Sequence, residues 1–175
     1  QQRQLYDATV AFLGGPYGPR MALINVPDIA RPWADLQRAI SAHGLAPRLF
    51  ELTILIVARE WDSRFEWWAH ADKAAKAGVP ADVIESLKQR QVPSFTADDE
   101  RAVYEYLVEL LRRHDVGDAT YDRLRTLIGR QHHAARAFGA GVGAQQGLCV
   151  QVTQLDAVLE HPHQHPAADG RWARR

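Results

Sequence analysis

The run Leu49-Phe50-Glu51-Leu52-Thr53-Ile54-Leu55-Ile56-Val57-Ala58 decides the fold of this 175-residue chain. In a helix of this sequence apolar residues point in nearly every direction, so the helix is expected to be buried on most sides. Pro47 suits the first turn of this helix, and the pattern ends it at about Glu60. A membrane span needs about 20 apolar residues, and this run is much shorter, so the sequence predicts a core helix.

Helical periodicity also dominates the rest of the chain, and the alternation typical of β-strands is nearly absent. The sequence therefore predicts an all-α fold. Pro32 is expected in the first turn of its helix, and Thr or Asp side chains of residues 96–99 are expected to cap the longest one. Besides the helix at 47–60, we expect helices at about 4–13, 32–43, 62–77, 80–88, 98–114 and 119–128, with a loop and a short helical turn over residues 17–29.

Residues 1–160 are expected to form a single helical domain, and residues 161–175 a flexible tail. A chain of this length suits one domain that buries its own core. Each glycine inside a helix weakens it by about 1 kcal/mol relative to alanine. The stretch after residue 129 has four such glycines, Gly139, Gly141, Gly143 and Gly147, and the tail is rich in His, Pro and Arg.

Charge and cysteine content narrow the class of protein. Lys and Arg number 21 and so do Asp and Glu, without the basic excess typical of nucleic-acid-binding proteins. We therefore expect no nucleic-acid partner, and no membrane partner, since no apolar run is long enough to span a bilayer. Cys149 is the only cysteine, which excludes an intrachain disulfide and favours a cytoplasmic location.

Glu51 is the one carboxylate inside the apolar run. Burying an unpaired carboxylate is costly, so Glu51 must either be protonated or find a cationic or hydrogen-bonding partner. The alternative is that Glu51 lies on a single exposed stripe of the helix, beside Arg48 and Arg59. The pattern alone leaves both interpretations open.

The next helix carries two opposed stripes. At 100° per residue, Trp61, Phe65 and Trp68 lie on one side. Ser63, Glu66 and His70 lie on the other, spaced so that a hydroxyl, a carboxylate and an imidazole form a hydrogen-bonded relay. Taken alone, the spacing favours the simpler interpretation, in which a solvated polar stripe lies opposite an aromatic core stripe.

Three segments have sequence motifs that are more specific than the spacing of polar residues. They are Arg48-Leu49-Phe50-Glu51-Leu52-Thr53-Ile54-Leu55, Phe65-Glu66-Trp67-Trp68-Ala69-His70 and Ala77-Gly78-Val79-Pro80-Ala81-Asp82-Val83-Ile84. Together with residues 95–104 and 116–121, they resemble the carboxymuconolactone decarboxylase-like family, which includes the AhpD-like alkylhydroperoxidases. The resemblance covers about residues 1–129. It implies an AhpD-like multi-helix domain, and the burial patterns predict an antiparallel helix pair, 47–60 and 62–77, at its centre.

The resemblance also implies a site. The peroxidase branch of the family has Cys-x-x-Cys-x-x-x-His, and aligning its His with His70 places the cysteines at Ser63 and Glu66. Neither side chain can form a disulfide, so alkylhydroperoxidase activity is disfavoured. The decarboxylase side implies cofactor-free, metal-free proton transfer and decarboxylation on a small lactone or related organic acid. The expected catalytic residues are His70, Glu51 and Glu66, and the expected substrate-binding residues are Ser63, Trp67 and Arg48.

The alternative to the enzyme is a non-catalytic helical scaffold or binding protein of the same fold. The histidines His132, His133, His161, His163 and His165 form at best an adventitious metal site, because a proline-broken tail lacks fixed geometry. Trp61, Trp67 and Trp68 cannot all face one core, so we expect a homo-oligomer, a trimer or a hexamer, with the substrate pocket near a subunit interface.

Overall fold

The computed structural model describes residues 2–13, 23–42 and 45–128. These residues form helices and contain no strand, so the all-α prediction is confirmed for them. The helices are α1 (Gln2–Leu13), α2 (Pro27–Ala42), α3 (Pro47–Glu60), α4 (Arg64–Ala77), α5 (Ala81–Lys88), α6 (Asp98–Arg113) and α7 (Asp118–Ile128).

Several expectations lie outside the described residues. They concern residues 17–22 of the expected loop, the glycine-rich stretch after residue 129, Cys149, the five histidines of the adventitious metal site and the tail at 161–175.

Helix α3 forms the centre of the core. Every residue from 52 to 58 is buried, which covers all directions around the helix axis because a turn takes only 3.6 residues. Three other helices, α4, α5 and α6, contact α3. The prediction that this helix is buried on most sides is therefore confirmed.

Three ion pairs join α3 to α6, two near the start of α3 and one at its end. Near the start, Arg48 contacts Asp99 and Glu100 at the start of α6. At the end, the Glu60 carboxylate accepts two hydrogen bonds from Arg112, at 2.7 and 3.1 Å. The partners are separated by about the same number of residues in both helices, so α3 and α6 run in the same direction.

The ends of α4 are defined by two residues outside it. The Ser63 hydroxyl accepts a hydrogen bond from the backbone N–H of Glu66 at 3.4 Å, which makes Ser63 the N-cap. The helix therefore begins at Arg64, two residues later than the expected start at 62. At the other end, Gly78 has a φ of 98°. A Cβ atom placed on Gly78 would lie 3.9 Å from the Cδ atom of Arg48, so the two residues are neighbours. A left-handed residue at this position ends the helix, as expected.

One expected helix start and one expected cap are wrong. The second helix begins at Pro27, and Pro32 lies inside it; backbone bonds from Ile29 and Ala30 to the Val26 carbonyl already form the helix before Pro32. Helix α6 has Ala97 as its N-cap and no side-chain cap. The Asp99 carboxylate instead accepts the N–H of Glu100 at 2.8 Å and also binds Arg48.

The junction of α6 and α7 gives a pH-dependent prediction. The hydroxyl of Thr120, with the backbone N–H of Gly117, hydrogen-bonds the Glu109 carboxylate and holds its pKa below the ordinary value. A carboxyl whose folded pKa is lowered stabilises the fold above its ordinary pKa, and this stabilisation is lost as the pH falls through the folded value. We expect Thr120→Val to raise the pKa of Glu109 toward its ordinary value, measured by NMR titration of the Glu109 side chain. Thr126→Val is the matched control, because Thr126 bonds the Asp122 carbonyl and not Glu109; an equal rise in both variants contradicts the assignment.

None of the helices in the described ranges is both long enough and apolar enough to cross a membrane.

Candidate functional site

The polar stripe of α4 faces the interior, and the aromatic stripe faces outward. Ser63 and Glu66 are buried, whereas Trp61 and Trp68 are 42% and 54% exposed. The simpler interpretation of the spacing, a solvated polar stripe opposite an aromatic core stripe, is therefore wrong. The polar groups have partners, since the Ser63 hydroxyl accepts a backbone N–H and His70 contacts Glu51 on α3. The apolar packing on the inner side comes from Ala74 and the half-buried Trp67.

His70 lies between two carboxylates. Its Nδ1 is 2.7 Å from Oε2 of Glu51 on α3, and its Nε2 is 3.6 Å from Oε2 of Glu66, one turn earlier on α4. The side chains of His70, Glu51 and Glu66 are 19%, 14% and 11% exposed. The structure therefore gives Glu51 the partner that its position in the apolar run requires.

Each of these three side chains is fixed by a regular element. Glu51 projects from the second turn of α3, whose neighbouring residues are buried in the core. Glu66 lies in the first turn of α4, where the positive end of the helix dipole favours a carboxylate. His70 follows Glu66 by four residues, the spacing that places two side chains on one helix face. The cluster is thus held by two packed helices rather than by loops.

The two ring nitrogens of His70 have different environments. In the tautomer with a proton on Nδ1, that N–H donates to Glu51, which fixes the orientation of the ring. The Nε2 atom lies beyond hydrogen-bond distance of Glu66 and is the nitrogen that can exchange a proton with another molecule. An imidazole oriented in this way by a carboxylate can act as a general acid or base.

The expected substrate-binding residues have structural contacts. Ser63 caps α4 through its hydroxyl. Trp67 packs against the core cluster on the inner side of α4. Arg48 donates to Oδ2 of Asp99 at 2.8 Å and to Oε1 of Glu100 at 2.6 Å. A substrate carboxylate at Arg48 would therefore compete with two carboxylates of the chain.

The ion-pair cluster around Arg48 was not anticipated from the sequence. Hydrogen bonding to Asp99, with a further contribution from Glu100, raises the pKa of the Arg48 guanidinium above its ordinary value. The Glu100 side chain is 2% exposed. Within the described part of the chain, its Oε2 atom is buried with no hydrogen-bond partner. The acidic first turn of α6 was the available signal, but it did not identify a cation about 50 residues away.

A separate cleft of about 370 Å³ lies beside the start of α6 and the end of α7. Its lining residues are Asp98, Asp122, Arg123, Thr126 and Leu127, and none of them belongs to the His70 cluster. Over the three described ranges, no group of three or more His, Cys, Asp or Glu side chains is arranged to hold a metal ion.

Comparisons of the chain with protein-family models, curated proteins and solved structures found no match. The resemblance to the carboxymuconolactone decarboxylase-like family therefore stays a prediction that depends on the quoted residues.

Proposed function

We propose that this protein is a carboxymuconolactone decarboxylase-like enzyme that removes CO₂ from a small lactone or related organic acid by proton transfer, without a cofactor. The observation that carries the proposal is the 2.7 Å contact between His70 and Glu51, which joins two helices in a largely buried position. Glu66, the third member of the cluster, places a second carboxylate near the other ring nitrogen.

The arrangement of α3 and α4 belongs to the same proposal. We infer the AhpD-like antiparallel pair from three contacts that link opposite ends of the two helices. Near the start of α3, Arg48 lies against Gly78 at the end of α4. In the middle, Glu51 contacts His70, and near the other end the Ser63 N–H donates to the Ala58 carbonyl at 2.8 Å.

In the proposed reaction, one proton replaces the CO₂ that leaves the substrate. The carbon–carbon bond to the substrate carboxylate breaks, CO₂ leaves, and its electron pair stays on the substrate as a carbanion delocalised into a conjugated carbonyl. The imidazolium form of His70 gives the proton on Nε2 to this carbon and forms the new carbon–hydrogen bond, which leaves the neutral ring with its proton on Nδ1, and solvent then returns a proton to Nε2. Glu51 holds the ring in position through Nδ1. General acid catalysis of this kind contributes about 10²–10⁴-fold to a rate.

A non-catalytic scaffold or binding protein of the same fold is the second candidate. The observation that favours it is the occupied Arg48, whose guanidinium already binds two carboxylates of the chain. Alkylhydroperoxidase activity is disfavoured, because Ser63 and Glu66 occupy the positions of the two cysteines and neither supplies a thiolate.

A panel of lactone acids and alkyl hydroperoxides tests these functions against one another. We expect the wild-type protein to release CO₂ from at least one lactone acid and to leave the hydroperoxides unchanged in the presence of a dithiol. Thiol-dependent hydroperoxide turnover contradicts the proposal. If no lactone acid releases CO₂, the scaffold alternative replaces the decarboxylase.

We further propose that the chain forms a homo-oligomer, a trimer or a hexamer, through the aromatic face of Trp61, Phe65 and Trp68. The rings of Phe65 and Trp68 are 6.0 Å apart, and exposed aromatic surface is typical of association surfaces.

Light scattering of the wild-type protein is expected to give three or six times the 19.6 kDa of one chain. Trp68→Glu is expected to lower this mass, whereas Val92→Glu, at another exposed apolar residue, leaves it unchanged. A single-chain mass for the wild type contradicts the assembly.

A further inference from the structure

We propose that the ammonium group of Lys73 stabilises the negative charge that forms on the carbonyl oxygen of the substrate as CO₂ leaves. The role rests on the proposed decarboxylation and adds a residue to it. That reaction moves an electron pair from the departing carboxylate into a conjugated carbonyl, whose oxygen becomes negative. The carboxylates of Glu51 and Glu66 next to the His70 ring repel this charge. A cation near the ring offsets the repulsion.

Lys73 lies on the face of α4 that carries the site. It follows His70 by three residues and Glu66 by seven, and residues at i, i+4 and i+7 line one face of a helix. At about 100° per residue, Lys73 is about 20° from Glu66 and about 60° from His70 around the helix axis. The other Lys or Arg residues of α4, Arg64 and Lys76, are each about 120° from His70.

The direction of helical side chains brings the Lys73 ammonium group toward Nε2 of His70. Side chains of a helix tilt toward its N-terminus, so Lys73 lies over the turn that contains His70. The Nε2 atom is the one near Glu66, so the proton-donating edge of the ring faces the same side of α4 as Lys73. A rise of about 4.5 Å separates Lys73 from His70 along the axis, and the flexible four-carbon stem of a lysine spans this distance.

The ammonium group of Lys73 is available to a substrate. Lys73 is exposed, and it makes no hydrogen bond or ion pair with the residues that the structure describes. The positions three and four residues away from it on α4 hold no Asp or Glu, so the helix itself supplies no carboxylate partner. Arg48, by contrast, already binds Asp99 and Glu100. Lys73 can therefore contact a substrate without breaking an existing ion pair.

The chemistry decides which part of the substrate Lys73 contacts. A group speeds a reaction only if it binds the transition state more tightly than the ground state. The departing carboxylate loses its charge as CO₂ forms, so a cation held against it slows the step. The carbonyl oxygen gains charge in the same step, so a cation there speeds it. Lys73 is therefore assigned to the carbonyl oxygen, and His70 to the carbon that receives the proton.

Steady-state kinetics on the lactone acid found with the panel test this role. Lys73→Met keeps an unbranched side chain without the charge, and we expect kcat to fall by about 10–10²-fold with little change in KM. The fall is smaller than the 10²–10³-fold typical of an enclosed oxyanion donor, because Lys73 is exposed. Lys73→Arg is expected to keep most of the rate. Lys76→Met, the matched control on another side of α4, is expected to match the wild type. An effect confined to KM, or an equal fall in both methionine variants, overturns the proposal.

Binding of an anion that resembles the intermediate is measured without turnover. Tetronate is the anion of a five-membered lactone whose charge is delocalised over an enolate. It is titrated at constant ionic strength and followed by NMR of the His70 ring and the backbone amides of α4. We expect saturable shifts for the wild type and binding weakened by about tenfold in Lys73→Met, the effect of losing one charge-assisted contact. Neutral γ-butyrolactone is the control ligand, and the two proteins are expected to bind it equally.

The two measurements distinguish an error in the Lys73 assignment from an error in the proposed function. If tetronate binding depends on Lys73 but no lactone acid releases CO₂, the proposed decarboxylation is wrong and the anion contact of Lys73 is retained. If lactone acids release CO₂ while Lys73→Met keeps the wild-type kcat, only the assignment of Lys73 is overturned. The same holds if tetronate binds the wild type and Lys73→Met equally, or binds neither. Circular dichroism verifies that each variant is folded.

Discussion

Replacing His70 by alanine is expected to lower the decarboxylation rate by about 10²–10⁴-fold on the substrate found with the lactone panel. The variant loses the nitrogen that donates the proton, while the helices that hold the site remain. Because alanine leaves the Glu51 carboxylate without its 2.7 Å partner, His70→Gln is a necessary second variant. The glutamine amide can donate to Glu51 but cannot exchange a proton in the way that imidazole does.

His114→Asn is the matched control for both His70 variants. His114 caps the end of α6, is exposed and has a φ of 59°, a conformation that asparagine tolerates. We expect the control to keep the wild-type rate. A His70→Gln variant that folds and retains the wild-type kcat would show that His70 does not take part in the reaction.

Replacing Arg48 by methionine is expected to lower the free energy of unfolding by about 3–5 kcal/mol. The reason is that Glu100 is almost fully buried and Arg48 is its charged partner at 2.6 Å. Removing one member of a buried ion pair leaves an uncompensated charge in the interior. Urea unfolding monitored by circular dichroism measures the change.

Two further variants identify the cause of that loss. Arg123→Met removes an interhelical ion pair with Glu105 in which both side chains are nearly half exposed, and we expect it to cost less than about 1 kcal/mol. The double variant Arg48→Met with Glu100→Met is expected to regain most of the lost stability, because the buried charge is gone. A loss under about 1 kcal/mol for Arg48→Met alone would contradict a structural role for this ion pair.

The central core helix was predictable because a single continuous apolar run in the sequence indicates it. Seven consecutive buried positions, residues 52–58, coincide with the apolar run, and Pro47 and Gly78 lie at the helix ends that the sequence indicated. The start of α4 was also marked, since Ser63 and Glu66 have the spacing of a capping box, although the predicted start at residue 62 overlooked it.

The orientation of α4 was not predictable from its own residues. The helix has a polar stripe and an aromatic stripe, and its own sequence does not show which of the two faces the core. The position of Glu51 on the facing helix decides which stripe is buried. Once Glu51 lies in the core, the inner face of α4 must supply a polar partner, and His70 does so. The partner of Arg48 was likewise beyond local pattern, because the ion pair with Glu100 joins residues 52 positions apart.

The stereochemistry of proton delivery tests the central claim, that His70 protonates the substrate carbon within a fixed site. In D₂O, a carbon that becomes CH₂ after loss of CO₂ becomes CHD, and its configuration is read by NMR with a chiral shift reagent. We expect the wild-type protein to give a single configuration, because Nε2 of His70 approaches from one side only. An equal mixture of the two configurations would mean that solvent protonates the product outside the site, and it would contradict the role assigned to His70.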